Sequence, residues 1–379
     1  MTFDFDRVVD RRRSDSVKWS RHAERDVLPM WVADMDFPAA PAIVEALQRR
    51  VEHAVFGYGA APREAVEAVL GGLERDYAWR IDPSWLVWLP GLVPAIGACC
   101  RLPPDGSAVA VLTPAYPPFL SLPPQADRPL VPVPLADTGA RYELDFDRMD
   151  SAAARAARLF IFCNPHNPTG RAFAPAELER FAAFCAAHGL TVVSDEIHSG
   201  LALDADKRHR PLAALDSSVA ARTITLMAPS KTFNVPGLGC AFAVIPDREL
   251  RRTFRRAGLG LAGSVNVLGY AACAAAYSQC ADWHAALRAC LRRNRDQVER
   301  AAAGWRGVGL KHVEATYLAW LDCRGAELAD PHAFFLEGGV DLSNGVDFGA
   351  PGFVRLNFGC PLATLEEGLR RMTAALAAR

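Results

Sequence analysis

Thr223-Ile-Thr-Leu-Met-Ala-Pro-Ser-Lys-Thr-Phe-Asn234 joins a short apolar run to a polar turn that carries one lysine, Lys231. Two similar joints precede it. Thr191-Val-Val-Ser-Asp-Glu-Ile-His198 holds Asp195, 36 positions before Lys231, and Leu159-Phe-Ile-Phe-Cys-Asn-Pro-His-Asn-Pro-Thr-Gly170 holds Asn167, a further 28 positions back. Such runs, rich in β-branched and aromatic residues and bounded by Pro, Gly and Asn, read as strands. Ala108–Leu112 and Cys240–Ile245 add two more. Helical patterns lie between them. The clearest starts at Pro175 and carries Leu178, Phe181, Ala182 and Cys185 on one face, with Gly189 just past its end. Strands alternating with helices predict an α/β fold with a mainly parallel sheet covered on both faces. Ligands of such sheets gather beyond the carboxyl ends of the strands, where Asp195 falls.

Further along, helix dominates Val265–Ala303, and Gly304-Trp-Arg-Gly reads as a hinge into a last segment. There His312–Cys323 and Phe353–Phe358 read as strands and Leu362–Ala378 as helix. Eight prolines between Pro114 and Pro134 predict irregular chain. No repeat or low-complexity tail is present.

The bulk numbers narrow the function classes. With 379 residues, 51% hydrophobic and 22% charged, the chain is an ordinary globular protein of one large or two domains. A net charge of −1 gives no general pull toward nucleic acid or an anionic membrane. No apolar run approaches the ~18 residues of a membrane span, and the start lacks the apolar core of a signal peptide. None of the ten cysteines pair as Cys-x-x-Cys, so no metal site is expected and a reducing cytoplasm fits best.

Nine motifs together resemble a known family. They are Asp15-Ser-Val-Lys-Trp19, Leu28-Pro-Met-Trp-Val-Ala-Asp-Met-Asp-Phe37, Phe56-Gly-Tyr58, Pro90-Gly-Leu-Val-Pro-Ala95 and Thr113-Pro-Ala-Tyr-Pro-Pro-Phe119. The rest are Asn164-Pro-His-Asn-Pro-Thr-Gly170, Ser194-Asp-Glu-Ile-His-Ser199, Ala228-Pro-Ser-Lys-Thr-Phe-Asn234 and Phe353-Val-Arg-Leu-Asn-Phe358. The chain resembles the MalY/PatB branch of the fold-type I aminotransferase superfamily, the cystathionine β-lyase and cysteine-conjugate C–S lyase group. The resemblance runs nearly end to end. It implies pyridoxal 5'-phosphate (PLP) as cofactor and a homodimer with shared active sites. It also implies an N-terminal arm with part of a small domain (1–45), a large PLP domain (46–288) and a small C-terminal domain (289–379).

Chemistry assigns the roles. Lys231 is the candidate for the Schiff base with the cofactor aldehyde and for the base at the substrate Cα; burial would lower its pKa into the useful range. Asp195 would keep the pyridine nitrogen protonated, so that the ring accepts electrons, or else cap the next helix. Glu196 should face away. By resemblance Asn167 binds the phenolic oxygen and helps with the substrate carboxylate, Tyr116 stacks on the ring, and His198 sits near the phenolic side unless it is a packed core histidine. Gly91 and Leu92, opening a helical stretch, fit a phosphate site made of backbone N–H groups, and Ser230 adds a hydroxyl. Arg355, inside an apolar strand, needs an anionic partner: the substrate α-carboxylate by resemblance, or a structural salt bridge. Tyr58 resembles a tyrosine that reaches the neighbouring subunit's phosphate; a core tyrosine is the competing reading.

Three positions depart from the family's pattern. Gly239 stands where many members carry a phosphate-binding arginine, Gly200 where an acidic residue is usual, and Leu362 where an arginine follows Cys-Pro. The same residues serve β-elimination, transamination or a decarboxylating variant; the branch resemblance favours the lyase. A catalytically silent relative would lack Lys231 or Asp195, and this chain has both.

Overall fold

Alternation within each strand decides the layering. In the computed structural model, which describes residues 3–104, 106–153, 157–260 and 263–379, the central sheet has seven strands. In chain order they are β1 (Leu86–Leu89), β2 (Ala108–Thr113), β3 (Leu130–Pro134), β4 (Ala157–Cys163), β5 (Thr191–Asp195), β6 (Thr223–Met227) and β7 (Ala241–Val244). Their spatial order is β1-β7-β6-β5-β4-β2-β3. The five strands from β6 to β3 run parallel; β7 is antiparallel to both of its neighbours. Ala110, Phe160, Phe162 and Val192 pack into a core on one face, while Val109, Val111, Leu159, Ile161 and Val193 pack on the other. Successive side chains of a strand point to opposite faces, so a near-continuous apolar run needs cover on both. The helix Pro175–Ala187 buries Leu178, Phe181, Ala182 and Cys185 as its spacing predicts.

A second, antiparallel sheet joins Gly309–Leu310, β8 (Leu318–Asp322), β9 (Phe353–Asn357) and Ser343–Asn344. The N-terminal arm attaches here: Leu28–Pro29 pairs with Val340–Asp341, the Asn357 N–H donates to Met30 O (2.8 Å), and the Asp36 N–H donates to Gly359 O (2.9 Å). Met1 and Thr2 of that arm lie outside the described residues. Among the described residues no helix is long and apolar enough to cross a membrane.

Two readings of the sequence need correction. The proline-rich stretch is ordered: it forms a helix, Pro117–Gln125, and strand β3. Pro117 and Pro118 occupy the first helical turn, where N–H groups have no partner to lose. Pro132 and Pro134 alternate along an edge strand and are exposed, so the missing donors fall on its unpaired side. The strand expected over His312–Cys323 is confined to Leu318–Asp322. The chain ahead of it donates from Ala315 N to Gly170 O (2.9 Å) and from Thr316 N to Leu201 O (2.8 Å), which draws it across the cavity-forming turns. Helix dominates Val265–Ala303 as expected, in two pieces, Val267–Gln279 and Ala281–Ala303, that meet at Cys280.

Candidate active site

Parallel, in-register strands end together, and four of these ends build the site. Cys163 pairs with Asp195, and Asp195 pairs with Leu226. Asn167 follows β4 by four residues, Asp195 closes β5, and Lys231 follows β6 by four. Tyr116 stands three residues past β2. All four line one cavity of about 780 Å³, together with Gly91, Leu92, His198, Ser230 and Arg355, within the usual size range for small-molecule sites. Tyr58 does not line it. Its side chain is fully exposed, which excludes the core-tyrosine reading.

Lys231 sits in the short helical turn Pro229–Thr232 and donates from Nζ to Ala33 O at 2.6 Å. Burial, reinforced by Arg355, pushes its ammonium down to about 8, while Asp34 and Asp195 pull the other way. Asp195 is 4% exposed and accepts the Ile197 N–H at 3.1 Å. Burial lifts its carboxyl to about 7; Glu196 adds to this, and the Ile197 amide and Lys231 oppose it. Desolvation disfavours whichever form is charged, so the lysine and the carboxyl approach each other in pKa from opposite sides. Glu196 faces away, as expected of the residue after a strand-end carboxylate. It accepts from Ser194 Oγ (2.8 Å) and Leu212 N (3.0 Å) and meets His209 Nε2 at 2.6 Å.

Arg355 enters from β9, opposite Trp320 on one side and Ser343 on the other. It donates to Asn167 Oδ1 (2.8 Å), Trp31 O (2.9 Å) and Ser343 Oγ (3.1 Å), and its guanidinium lies 4.7 Å from the centre of the Phe348 ring. These partners are all neutral, and burial lowers the guanidinium to about 10, with Tyr116 and Tyr317 partly offsetting the loss. Its Nε is buried without a partner. His198 is buried, with Nδ1 likewise unpartnered and its ring 6.1 Å from that of Tyr317. Burial, then Lys231 and Arg355, drive its pKa down to about 3, so it is a neutral imidazole at ordinary pH.

Two of the departures from the family's pattern have a local cause. Gly239 has φ +55°, a left-handed conformation that any side chain would strain, and a Cβ there would stand 3.4 Å from Pro90 O. The same close approach brings Gly239 beside the Pro90–Leu92 turn that opens the helix Leu92–Cys99. At Gly200 a Cβ would meet Thr232 Cγ2 at 2.6 Å, next to Lys231. Nothing in the structure explains Leu362.

Sequence reasoning missed Trp31, Ala33, Ser343 and Phe348, which line the cavity or hold its charged groups. Trp31 and Ala33 lie in the quoted Leu28–Phe37 motif but act largely through backbone carbonyls, which no residue type announces. Ser343 meets the site only through pairing with β9, and Phe348 through the turn Gly345–Phe348 that follows it.

The fold and this set of side chains define a fold-type I amino-acid enzyme. The chain belongs to the aminotransferase class I and II family, whose model matches residues 25–372. It is 38% identical to cystathionine beta-lyase PatB of Bacillus subtilis, across 98% of this chain and 99% of that one. Among solved structures it superimposes on OvoB with a TM-score of 0.97 and 43% identity, covering all of both chains. It superimposes on cystalysin from Treponema denticola, which contains a pyridoxal 5'-phosphate cofactor, with a TM-score of 0.95 and 29% identity, again over the full length of both.

The residues present fit that cofactor. Asp195 is a buried carboxylate with one backbone donor, which a protonated pyridine nitrogen would complement. Lys231 offers an amine. The helix start at Gly91–Leu92, crowded by a glycine where a side chain would intrude, offers backbone donors, and Ser230 a hydroxyl.

Proposed function

We propose that the chain is a PLP-dependent carbon–sulfur β-lyase that cleaves a cysteine thioether, cystathionine or another S-conjugate, to a thiol, pyruvate and ammonia. The observation that carries this reading is one cavity holding a lysine of lowered pKa, a buried carboxylate and a buried arginine with no carboxylate partner. Likeness to PatB along the whole chain supports the lyase over the transferase.

Lys231, Asp195, Asn167, Tyr116, His198, Ser230 and the Gly91–Leu92 turn would hold the cofactor. When bound, PLP supplies an electron sink that acidifies the substrate Cα–H. Arg355 anchors the substrate carboxylate with its planar fork of donors, and Asn167, already bonded to Arg355, borders the same group. Anchoring there fixes Cα relative to Lys231. With a pKa near 8, Lys231 Nζ has an appreciable neutral fraction at physiological pH and takes the Cα proton. The pair released from that C–H bond forms the Cα–Cβ double bond. The C–S bond breaks with its pair on sulfur, and the thiolate takes up a proton. The enamine that leaves is hydrolysed by water to pyruvate and ammonia.

The exposed row Val55, Phe56 and Tyr58 supports a homodimer in which Tyr58 completes the partner's phosphate site. Ten free cysteines, all buried, support a cytoplasmic setting. The proposed domain limits at 45/46 and 288/289 put the second boundary inside the continuous helix Ala281–Ala303, which would then act as a rigid link. The test is product analysis on a cysteine thioether without added keto acid. Stoichiometric thiol, pyruvate and ammonia are expected. Turnover that needs a keto acid and yields no thiol would make the enzyme a transaminase.

A further inference from the structure

The cavity wall carries a cation that the proposed chemistry does not use. Arg21 follows the N-terminal turn Val17–Ser20, lines the same cavity as Lys231 and Arg355, and keeps 46% of its side chain exposed. Its guanidinium lies over the Trp31 ring, 4.7 Å from the centroid. Trp31 is itself tied to the substrate anchor, because its carbonyl accepts from Arg355 and from Ser343 Oγ (2.7 Å). The arginine is thus stacked on the residue beside the expected α-carboxylate site.

What holds Arg21 leaves most of its donors free. Its acidic neighbour, Asp341, is completely buried and shared three ways. Asp341 Oδ2 meets Arg21 Nη1 at 3.4 Å and His22 Nε2 at 3.2 Å, and Oδ1 meets His332 Nε2 at 3.2 Å. At 3.4 Å the Arg21 contact is an ion pair without a good hydrogen bond. A guanidinium has five N–H donors. Stacking on an indole fixes its plane and leaves its edge for a second anion. Asp347 and Asn344 also line the cavity, so its surface is not uniformly attractive to anions.

We infer that Arg21, stacked on Trp31 and steadied by Asp341, is the specificity residue for the departing half of the substrate, and that it selects thioethers whose thiol fragment carries a carboxylate. The inference rests on the lyase reading and divides the substrates that reading leaves together. A neutral S-alkyl conjugate gains nothing from Arg21. A carboxylate on the far side of sulfur meets a preplaced planar cation.

The test uses the holoenzyme and two compounds that differ in charge but hardly in shape, S-(2-carboxyethyl)-L-cysteine and S-(2-carbamoylethyl)-L-cysteine. Both kcat/KM for thiol release and Kd, from the absorbance change of the bound cofactor on rapid mixing, are measured for wild type, Arg21→Gln and Arg21→Lys. The acid should be preferred about tenfold, a modest factor because the arginine is half exposed. Arg21→Gln should bring the ratio to within about threefold of unity, and Arg21→Lys should restore part of it. Each ratio is taken on one enzyme preparation, so partial misfolding cancels. A wild-type ratio near one, or a preference that survives Arg21→Gln, overturns the inference. If neither compound releases thiol, the lyase reading fails, and the Kd ratios still decide the role of Arg21.

Discussion

Asp195→Asn should make the cofactor-free protein more stable at pH 8 relative to wild type, and more so than at pH 5. The reason lies in the cost of keeping this carboxyl charged in the fold. Its pKa is raised from 3.8 to about 7, chiefly by burial. A carboxyl raised in the folded state destabilises the fold when ionised. The penalty is full above pH 7, shrinks as pH falls through 7, and vanishes below 3.8, where both states hold the proton. At 1.36 kcal/mol for each tenfold in proton affinity, the penalty is ~4 kcal/mol at pH 8 and under ~2 kcal/mol at pH 5. Asn mimics the uncharged form at every pH. Its own unsatisfied N–H donors cost a further ~1–3 kcal/mol, but that cost is independent of pH and cancels in the comparison. Urea unfolding of cofactor-free wild type and variant at the two pH values should show the variant gaining about 2.5 kcal/mol on wild type between pH 5 and pH 8. In the holoenzyme the same change should cost kcat roughly 10²–10³-fold, the scale of losing a preorganised electrostatic partner. Parallel stability profiles for the two proteins would refute the assignment of Asp195 as a strained, ionisable partner.

Lys231→Ala should abolish the borohydride-reducible yellow chromophore and nearly all turnover; a reducible chromophore in that variant would move the attachment elsewhere. Arg355→Ala should raise KM by about 30–150-fold, the equivalent of ~2–3 kcal/mol for a charge-assisted contact, and should lower kcat as Cα loses its fixed position. An unchanged KM in steady-state assays would remove Arg355 as the anchor. Phe162→Ala should cost ~3–5 kcal/mol of stability by chemical denaturation, because Phe162 is completely buried and stacked on Phe181 at 4.2 Å. A loss under ~1 kcal/mol would contradict the packing described for that face of the sheet.

The legible part of this protein is the part encoded by residue type and period. The parallel strands were readable because Leu159–Cys163 and Thr223–Met227 are buried on both faces, so the first is apolar throughout and the second mixes only β-branched threonines with its apolar residues. Lys231, Asp195 and Asn167 were readable because their side chains follow strands whose ends align. The proline-rich stretch misled because local propensity cannot tell an exposed edge strand, which tolerates Pro132 and Pro134, from a loop. His312–Tyr317 misled because its backbone bonds go to Gly170 and Leu201, partners more than a hundred residues away. Ser343 and the carbonyls of Trp31 and Ala33 were invisible for the same reason. They act by position, which long-range pairing sets.

That division also explains how the site can be reactive inside an otherwise well-satisfied fold. The buried pairs elsewhere are closed: Lys18 meets Asp36 at 2.7 Å, and Arg171 is bonded to both Glu177 and Glu314. In the cavity the corresponding charges are kept apart. Lys231 bonds a carbonyl, Arg355 bonds an amide, a carbonyl and a hydroxyl, and Asp195 bonds a backbone N–H. Had Lys231 closed on Asp195, the attraction would have raised the lysine's pKa back out of the useful range and left the carboxylate occupied before a ring nitrogen could reach it. Neutral partners hold each group in place without quenching it. The fold therefore carries the desolvation cost of three charged groups, and that cost is what a cofactor nitrogen and a substrate carboxylate can relieve.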